Sequence, residues 1–265
     1  MAGETAVALT IAGSDPSGGA GIQADLKTFH QFGVYGEAVV TLLTVQNTTR
    51  VSRVDLVDVD LVTEQIQAVL EDIPPQAAKT GALGDGEMIR AIAALARDFQ
   101  FPLVVDPVMI SKQGAILLED DAAHTLRREL VPRSFLITPN LPEAAALTGV
   151  EVHNIEKMKE AAQKLFDMGA KNVLVKGGHL QEDATDVLFC DELWYYFPAP
   201  HLDTKHTHGT GCTYSAAITA GLALGWTLPH AVETAKDFIH HAIRTAPLLG
   251  KGAGPVNHHA RLTRE

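Results

Sequence analysis

The chain has 265 residues, 46% of them hydrophobic, and is long enough to bury a sizeable core. Asp and Glu number 32 against 21 Lys and Arg, which gives a formal charge of -11. This balance argues against nucleic acid or an acidic membrane surface as the main partner, because clustered basic side chains bind phosphate backbones. With two cysteines, no signal peptide and no apolar run that could span a bilayer, we expect a cytoplasmic protein.

Short apolar runs alternate along the chain with longer amphipathic segments. The apolar runs predict five strands, at residues 7–12, 38–45, 103–106, 135–138 and 173–176. Several are apolar at nearly every position, which is typical of strands buried on both faces of a sheet. Apolar residues at steps of three and four predict helices over residues 88–99, 155–165 and 232–242, the second of them ending at a glycine C-cap, Gly169.

This alternation predicts a largely parallel sheet that is covered by helices on both faces. Residues 186–190 and 193–197 predict instead a hairpin on an edge of the sheet, with Asp191 and Glu192 at its turn. No linker, charge block or repeat divides the chain, so we expect one domain over residues 1–265. Ligands of such sheets bind beyond the carboxyl ends of the strands, and the residues there are the candidates for a functional site.

A glycine-rich segment follows the first predicted strand. Residues 13–21 contain four glycines and lead into a predicted helix that contains Asp25. The spacing matches a relaxed dinucleotide fingerprint, but no acidic residue closes the next strand, which leads instead to Gln46. The segment is either a flexible turn or a surface that a ligand approaches closely, and four glycines favour the ligand. Neither a P-loop nor the protein-kinase motifs are present.

The strongest local signal is the turn formed by Gly209, Thr210, Gly211 and Cys212, which precedes an Ala-rich predicted helix. The unpaired N–H groups and the dipole of a helix N-terminus favour an anion, such as a phosphoryl group in transfer. The same position predicts a lowered pKa for the Cys212 thiol, and hence a thiolate. The alternative is structural: Thr210 caps the helix and Cys212 is a small buried side chain.

Polar residues also lie at or just after the ends of three later predicted strands. Asp106 and Glu143 offer carboxylates for Mg²⁺ near phosphates, and Lys176 offers a cation beside two glycines. Each has a structural alternative: an Asp-Pro turn at Asp106, a capping box between Asn140 and Glu143, and an exposed lysine before a turn at Lys176. The 12 histidines do not indicate zinc, because no cysteine cluster accompanies them.

Six segments are more specific together than any of them is alone. They are residues 9–28, 78–81 (Ala-Lys-Thr-Gly), 106–109 (Asp-Pro-Val-Met), 138–144, 176–179 (Lys-Gly-Gly-His) and 207–213 (Thr-His-Gly-Thr-Gly-Cys-Thr). In this order they resemble the hydroxymethylpyrimidine/phosphomethylpyrimidine kinases of thiamine biosynthesis, over nearly the whole chain. The resemblance implies an α/β fold: a ribokinase-like three-layer sandwich, with a mostly parallel central sheet, helices on both faces and no separate lid domain.

The resemblance also implies an activity. It implies a homodimeric enzyme that phosphorylates 4-amino-5-hydroxymethyl-2-methylpyrimidine and then its monophosphate, with ATP as the phosphoryl donor. By the same resemblance, Asp106, Asn140 and Glu143 organise Mg-ATP, with Glu143 and Asp106 as metal ligands, and Lys176 contacts the nucleotide phosphates. Activation by a monovalent cation is left open.

The pyrimidine pocket implied by the resemblance is lined by Gly13, Asp25 and Gln46, of which Asp25 and Gln46 read the ring nitrogens and the amino group. Cys212 stands where most superfamily members carry an aspartate base. Because a thiolate would repel phosphate, we favour an anion-hole role for this helix end, with Cys212 as an assisting base. Ala82 stands where some relatives have Met against the substrate ring, which leaves the pocket wall undefined.

Three alternatives compete with this interpretation. The closest is a pyridoxal kinase of the same cysteine-containing branch, which Gln46 disfavours because pyridoxal-active relatives tend to have an apolar residue there. A sugar kinase is disfavoured because no lid-forming insertion precedes the glycine-rich segment. A non-catalytic nucleotide sensor would need lost carboxylates or a broken turn, whereas Asp106, Glu143, Lys176 and residues 209–212 are all present.

Overall fold

The computed structural model describes residues 5–109, 114, 120–180 and 183–262. Within these residues the strands are β1 (Val7–Ser14), β2 (Tyr35–Asn47), β3 (Arg50–Leu56), β4 (Ala77–Thr80), β5 (Leu103–Val105), β6 (Leu136–Ile137), β7 (Val173–Val175), β8 (Asp186–Cys190) and β9 (Leu193–Phe197). The α-helices are α1 (Gly21–Gln31), α2 (Val59–Asp72), α3 (Gly86–Leu95), α4 (Asp120–Thr125), α5 (Leu141–Thr148), α6 (Ile155–Asp167), α7 (Thr210–Ala223) and α8 (Leu228–Arg244). In these ranges, none of the helices combines the length and the apolar character needed to cross a membrane.

The strands form one sheet in the order β3-β2-β1-β4-β5-β6-β7-β8-β9. The six strands from β2 to β7 in this order run parallel, while β3, β8 and β9 pair in antiparallel fashion. The five predicted strands are confirmed as β1, β2, β5, β6 and β7. The predicted edge hairpin is β8–β9, and its turn residues Asp191 and Glu192 have φ angles of 50° and 60°, as a two-residue hairpin turn requires.

Each face of the sheet has its own hydrophobic core. Successive side chains of a strand point to opposite faces, so Leu9 packs into one core with α2, α3 and α6, while Ala8 packs into the other with α1, α7 and α8. In β5, Val105 and Val104 divide in the same way. Both faces of the sheet are therefore buried, which explains why the inner strands are apolar at nearly every position.

The predicted helices are confirmed as α3, α6 and α8, and the Ala-rich segment as α7. Helix α3 ends at Leu95, so Phe99 lies beyond it, although Phe99 still packs against the core. Gly169 follows the C-cap of α6 with a φ of 106°, as a helix-terminating glycine does. The sequence patterns missed β3, β4, α2 and α4; β4 has four residues, and its third is Lys79.

Candidate active site at the carboxyl edge of the sheet

The turn at residues 209–212 lies at the N-terminus of α7, as predicted. Gly209 is the N-cap, with a φ of 80°, and a Cβ there would overlap the Gly19 carbonyl oxygen, so only glycine fits. Thr210 does not cap the helix, because its Oγ1 donates a hydrogen bond to the Thr207 carbonyl at 2.7 Å. No described side chain caps α7, and its N-terminus is therefore open to an anion.

Cys212 is partly exposed in the first turn of α7, and the backbone N–H of Gly21 lies near enough to its thiol to lower the pKa of the thiol in part. Burial is the largest influence on this group and raises the pKa of Cys212 to about 12, while the nearby Lys79 ammonium lowers the pKa only in part. The prediction of a lowered pKa and a thiolate is therefore wrong, because loss of hydration outweighs the helix end. At neutral pH Cys212 is an uncharged thiol that does not repel phosphate.

A buried ion pair lies close to this thiol. Lys79 Nζ is 2.9 Å from Asp25 Oδ2, and Thr10 Oγ1 donates to the same oxygen at 2.6 Å. Both charged side chains are fully buried. Burial raises the pKa of Asp25, whereas the pKa of Lys79 is raised because Asp25 and the groups around it outweigh burial. Asp25 is thus enclosed by protein, and its contact with a pyrimidine stays a prediction.

The other residues implied to line the pyrimidine pocket lie on β1, on β2 and after β4. Gly13 packs so closely against Leu42 that a Cβ would overlap the Leu42 side chain. Gln46 is half-buried near the end of β2, at a register shift in the pairing of β2 with β3. The carbonyl of Ala82 accepts a hydrogen bond from Thr41 Oγ1 at 2.6 Å. Their assignment to pyrimidine binding stays a prediction.

Asp106 and Lys176 form a second ion pair, with Nζ and Oδ1 2.8 Å apart. Thr138 Oγ1 and Ser215 Oγ donate further hydrogen bonds to the Asp106 carboxylate, at 3.1 Å and 3.2 Å. Burial would raise the pKa of Asp106, but Lys176 and a second lysine lower it, so the carboxylate is ionised. The Lys176 side chain is only 13% exposed, which excludes the interpretation of an ordinary surface lysine.

The capping box at the start of α5 is confirmed. Asn140 Oδ1 accepts a hydrogen bond from the Glu143 N–H at 2.9 Å, and Glu143 Oε2 accepts one from the Asn140 N–H at 2.8 Å. Burial raises the pKa of Glu143 to about 7, against the opposing effect of Lys176. An isolated parallel bridge between Asn140 and Lys176 ties the cap to the end of β7. The cap therefore places Glu143 beside the Asp106–Lys176 pair.

Asp106 and Glu143 are also the carboxylates that fit Mg²⁺. Both stabilise the charge of Lys176, so they share one neighbourhood. Mg²⁺ in phosphotransferases is usually held by one or two carboxylates together with substrate phosphates, and this pair matches that requirement. Across the described ranges, no three His, Cys, Asp or Glu side chains converge as a metal site of protein ligands alone.

Sequence reasoning did not assign a role to Lys79, although it lies within one of the recognised motifs. The residues around a lysine in a short strand do not indicate which carboxylate will neutralise it, and Asp25 is 54 residues away in the chain. In the structure Lys79 Nζ is 2.9 Å from Asp25 Oδ2, and Lys79 lies near enough to Cys212 for each to affect the pKa of the other. The buried cation belongs to the site for this reason.

Comparison with known proteins places the chain in a family. Residues 15–257 match the family model described as phosphomethylpyrimidine kinase. The hydroxymethylpyrimidine/phosphomethylpyrimidine kinase of Bacillus subtilis is 47% identical over 256 residues, which cover 96% of this chain and 94% of the relative. A crystal structure of phosphomethylpyrimidine kinase from Clostridium difficile matches with a TM-score of 0.81 and 44% identity, over 90% of this chain and all of the other. The ADP complex of Bacillus subtilis pyridoxal kinase matches with a TM-score of 0.89 and 40% identity, over 97% and 98% of the two chains.

These matches extend along almost the whole chain. The family model covers every candidate site residue except Gly13, which precedes its first matched residue. The resemblance stated from the motifs is thereby confirmed, together with the ribokinase-like fold and the assignment to the kinases. The chain belongs to the phosphomethylpyrimidine kinase family.

Proposed function

We propose that the chain transfers the γ-phosphoryl group of ATP to 4-amino-5-hydroxymethyl-2-methylpyrimidine and then to the resulting monophosphate, in thiamine biosynthesis. One observation carries this proposal: the open N-terminus of α7 adjoins the Asp106–Lys176 pair. A Cβ at Gly211 would lie 3.6 Å from both Asp106 Oδ2 and Lys176 Nζ. Anion-binding N–H groups beside a cation and a carboxylate suit phosphoryl transfer, which depends on positioning and charge neutralisation.

Lys176 is the residue that contacts the nucleotide phosphates in this proposal. Its ammonium group has three N–H donors, and one of them is used by Asp106. Asp106 and Glu143 hold Mg²⁺, which when bound neutralises charge on the phosphates. Asn140 acts through its cap, since it orients Glu143. The ADP and AMP-PCP complexes of related pyridoxal kinases support a nucleotide donor.

The turn at residues 209–212 serves as the anion hole. Its N–H groups stabilise negative charge on the phosphoryl oxygens, and the uncharged thiol of Cys212 adds no repulsion. A loose transition state leaves little need for a strong base to take the proton of the incoming hydroxyl group. Cys212 therefore contributes as a neutral polar group, and the assisting-base role that we expected from the sequence is not needed.

Gly13 on β1, Asp25 on α1 and Gln46 on β2 form the pyrimidine side of the proposed site. The half-buried Gln46 amide can both donate to and accept from an aminopyrimidine. Ala82 has a small side chain, which leaves space for the substrate ring at the proposed wall of the pyrimidine pocket. The name of the Bacillus subtilis relative, a hydroxymethylpyrimidine/phosphomethylpyrimidine kinase, supports this substrate class.

Parallel assays test the proposal against its closest alternative, which the structural similarity to pyridoxal kinase supports. ATP turnover is measured with hydroxymethylpyrimidine, with its monophosphate and with pyridoxal, and the phosphates transferred per pyrimidine are counted. We expect both pyrimidines to be phosphorylated, with a kcat/KM above that of pyridoxal. A higher kcat/KM for pyridoxal would establish the alternative. Exchange of K⁺ for Na⁺ in the same assay tests a monovalent-cation requirement.

Gln46 carries the specificity prediction. Because an amide can pair with an aminopyrimidine and a thioether cannot, we expect Gln46→Met to lower kcat/KM for the pyrimidine more than for pyridoxal. Both values are measured on one preparation of each protein. Equal losses for the two substrates would remove Gln46 from substrate recognition.

We also propose that the active form is a cytoplasmic homodimer. Leu43 and Val45, in the half of β2 that pairs with β3, are 53% and 56% exposed. Large apolar side chains on one face of a paired strand are typical of an interface. Both cysteines are free, in keeping with a reducing compartment.

A further inference from the structure

A buried carboxylate directly after β1 makes an unusual number of hydrogen bonds. Asp15 Oδ1 accepts from the N–H and the hydroxyl of Ser17, at 2.8 Å and 2.7 Å. Its Oδ2 accepts from the Gly19 N–H at 3.1 Å, the Ala20 N–H at 2.9 Å and His208 Nε2 at 2.7 Å. Burial would raise the pKa of Asp15, but the hydrogen bonds from His208 and Ser17 lower it, so the group is an anion.

On one side, Asp15 shapes the glycine-rich loop. The N–H groups of Gly19 and Ala20 point at its carboxylate, and the next residue, Gly21, begins α1. Gly21 bridges back to the last residue of β1, and its N–H lies near enough to the Cys212 thiol to lower the pKa of that thiol. The direction of that N–H therefore depends on the loop that Asp15 holds.

On the other side, Asp15 reaches the turn that begins α7. His208 immediately precedes Gly209, and its backbone N–H and carbonyl are bonded to Gly254 and Val256. Its ring is buried, and Nδ1 has no partner among the described residues, so the bond from Nε2 to Asp15 orients the ring. A Cβ at Gly19 would overlap this ring, just as one at Gly209 would overlap the Gly19 carbonyl. Loop and turn, 193 residues apart in the chain, thus meet at this hydrogen bond.

We propose that Asp15 and His208 are a positioning pair for phosphoryl transfer: their hydrogen bond aligns the glycine-rich loop with the turn at residues 209–212. This alignment holds the start of α1 against the first turn of α7, where the phosphoryl group is transferred, an assignment that rests on the proposed function. A hydrogen bond that joins two loops of a site fixes how the two loops are placed relative to each other. Misplacement by about 1 Å can cost about 100-fold in rate.

Two amide substitutions at His208 separate positioning from packing. The Nε2 of glutamine occupies nearly the place of His208 Nε2 and can donate to Asp15. The amide of asparagine falls at the place of Nδ1 and cannot reach it. We expect His208→Asn to lower kcat by about 10–100-fold with a smaller change in KM for ATP, and His208→Gln to retain most of the activity. His206→Asn is the matched control, a buried histidine two residues earlier that has no bond to Asp15.

A second readout does not depend on turnover. Iodoacetamide labelling of the substrate-free protein is followed by peptide mass spectrometry, with the buried Cys190 as internal reference. We expect Cys212 to be labelled several-fold faster in His208→Asn than in wild type, and Cys190 to be unchanged. If neither pyrimidine is phosphorylated by wild type, the proposed function fails, while the labelling still decides whether the pair holds the loop.

Several results would overturn the positioning role. Equal kcat in the Asn and Gln variants, unchanged Cys212 labelling, or an equal loss in His206→Asn would each do so. Unfolding of His208→Asn at the assay temperature, seen by thermal denaturation, would assign the pair to stability instead.

Discussion

The thiol of Cys212 is the residue on which the proposed chemistry depends most directly. Because its pKa is raised to about 12, it stays protonated between pH 7 and 9 and adds no ionisation to the rate profile in that range. We expect Cys212→Ala to lower kcat by about 10²–10³-fold, the range found for loss of an anion-hole group, with little change in KM for ATP. Cys212→Ser, which keeps a neutral polar group, retains more activity.

Steady-state kinetics of the three proteins, with kcat measured from pH 7 to 9, check this prediction. Turnover like that of wild type in Cys212→Ala would end the catalytic assignment. A wild-type kcat that rises tenfold per pH unit, lost in Cys212→Ser, would restore the thiolate base.

Glu37 on β2 is a second residue whose ionisation burial controls. Burial, assisted by Asp72, raises its pKa from 4.5 to about 7. The native state then keeps a proton that the unfolded chain has released, so the contribution of Glu37 to stability is present below about pH 4.5 and is lost as pH rises to about 7. We expect Glu37→Gln to raise the unfolding temperature at pH 8 and to leave it nearly unchanged at pH 4.5. A shift of equal size at both pH values would show that Glu37 is not the titrating group.

Some of these residue-level properties follow from sequence and others do not. The glycines and the helix start at residues 209–212 predict an anion site from local geometry alone. The pKa of Cys212 is raised, whereas the sequence predicted that it is lowered, because this pKa depends on how much water the folded chain excludes from the thiol. The partner of Lys79 is 54 residues away, and no local pattern encodes such a distance.

At the scale of elements, the N-cap of α5 contributes both to the stability of the fold and to the geometry of the candidate site. Loss of an N-cap side chain costs about 0.5–2 kcal/mol, and we expect Asn140→Ala to lower the free energy of unfolding by that amount. It also frees Glu143 from its place beside Lys176, so kcat falls as well. Asn154→Ala is the matched control, because Asn154 caps α6 through the Lys157 N–H in the same way, outside the site.

Urea denaturation and kinetics of both variants check this prediction. We expect similar losses of stability but a loss of activity only in Asn140→Ala. Equal activities in the two variants would mean that the cap has no part in catalysis.

Elements with strong periodicity or special turns could be predicted, and short ones could not. Helices α3, α6 and α8 carry apolar residues at helical spacing, and the β8–β9 turn lies between two apolar runs. Strand β3, in contrast, is mostly exposed and lacks an apolar run. Strand β4 is only four residues long and contains a lysine whose charge a distant carboxylate neutralises. These elements depend on tertiary partners.

At the scale of the whole molecule, the proposed homodimer gives the last prediction. We expect wild type to sediment as a dimer and Leu43→Glu with Val45→Glu to sediment as a monomer, because a charge at a buried apolar interface is costly. Leu193→Glu is the control, since Leu193 is 58% exposed on β9, at the opposite edge of the sheet. A monomeric wild type, or a doubly substituted protein that stays dimeric, would remove this face from the interface. That residues 1–265 form one domain stays a prediction.

The hydrogen bond between Asp15 and His208 has a consequence for how activity depends on chain integrity. It joins the loop that precedes α1 to the turn that precedes α7, so the two sides of the site come from parts of the polypeptide that are 193 residues apart. During synthesis the glycine-rich loop is made long before the turn at residues 209–212. A fragment that ends before residue 208 keeps the loop but lacks its counterpart. Activity therefore requires both parts of the chain. A single cut between the loop and the turn would abolish activity if the two pieces separated.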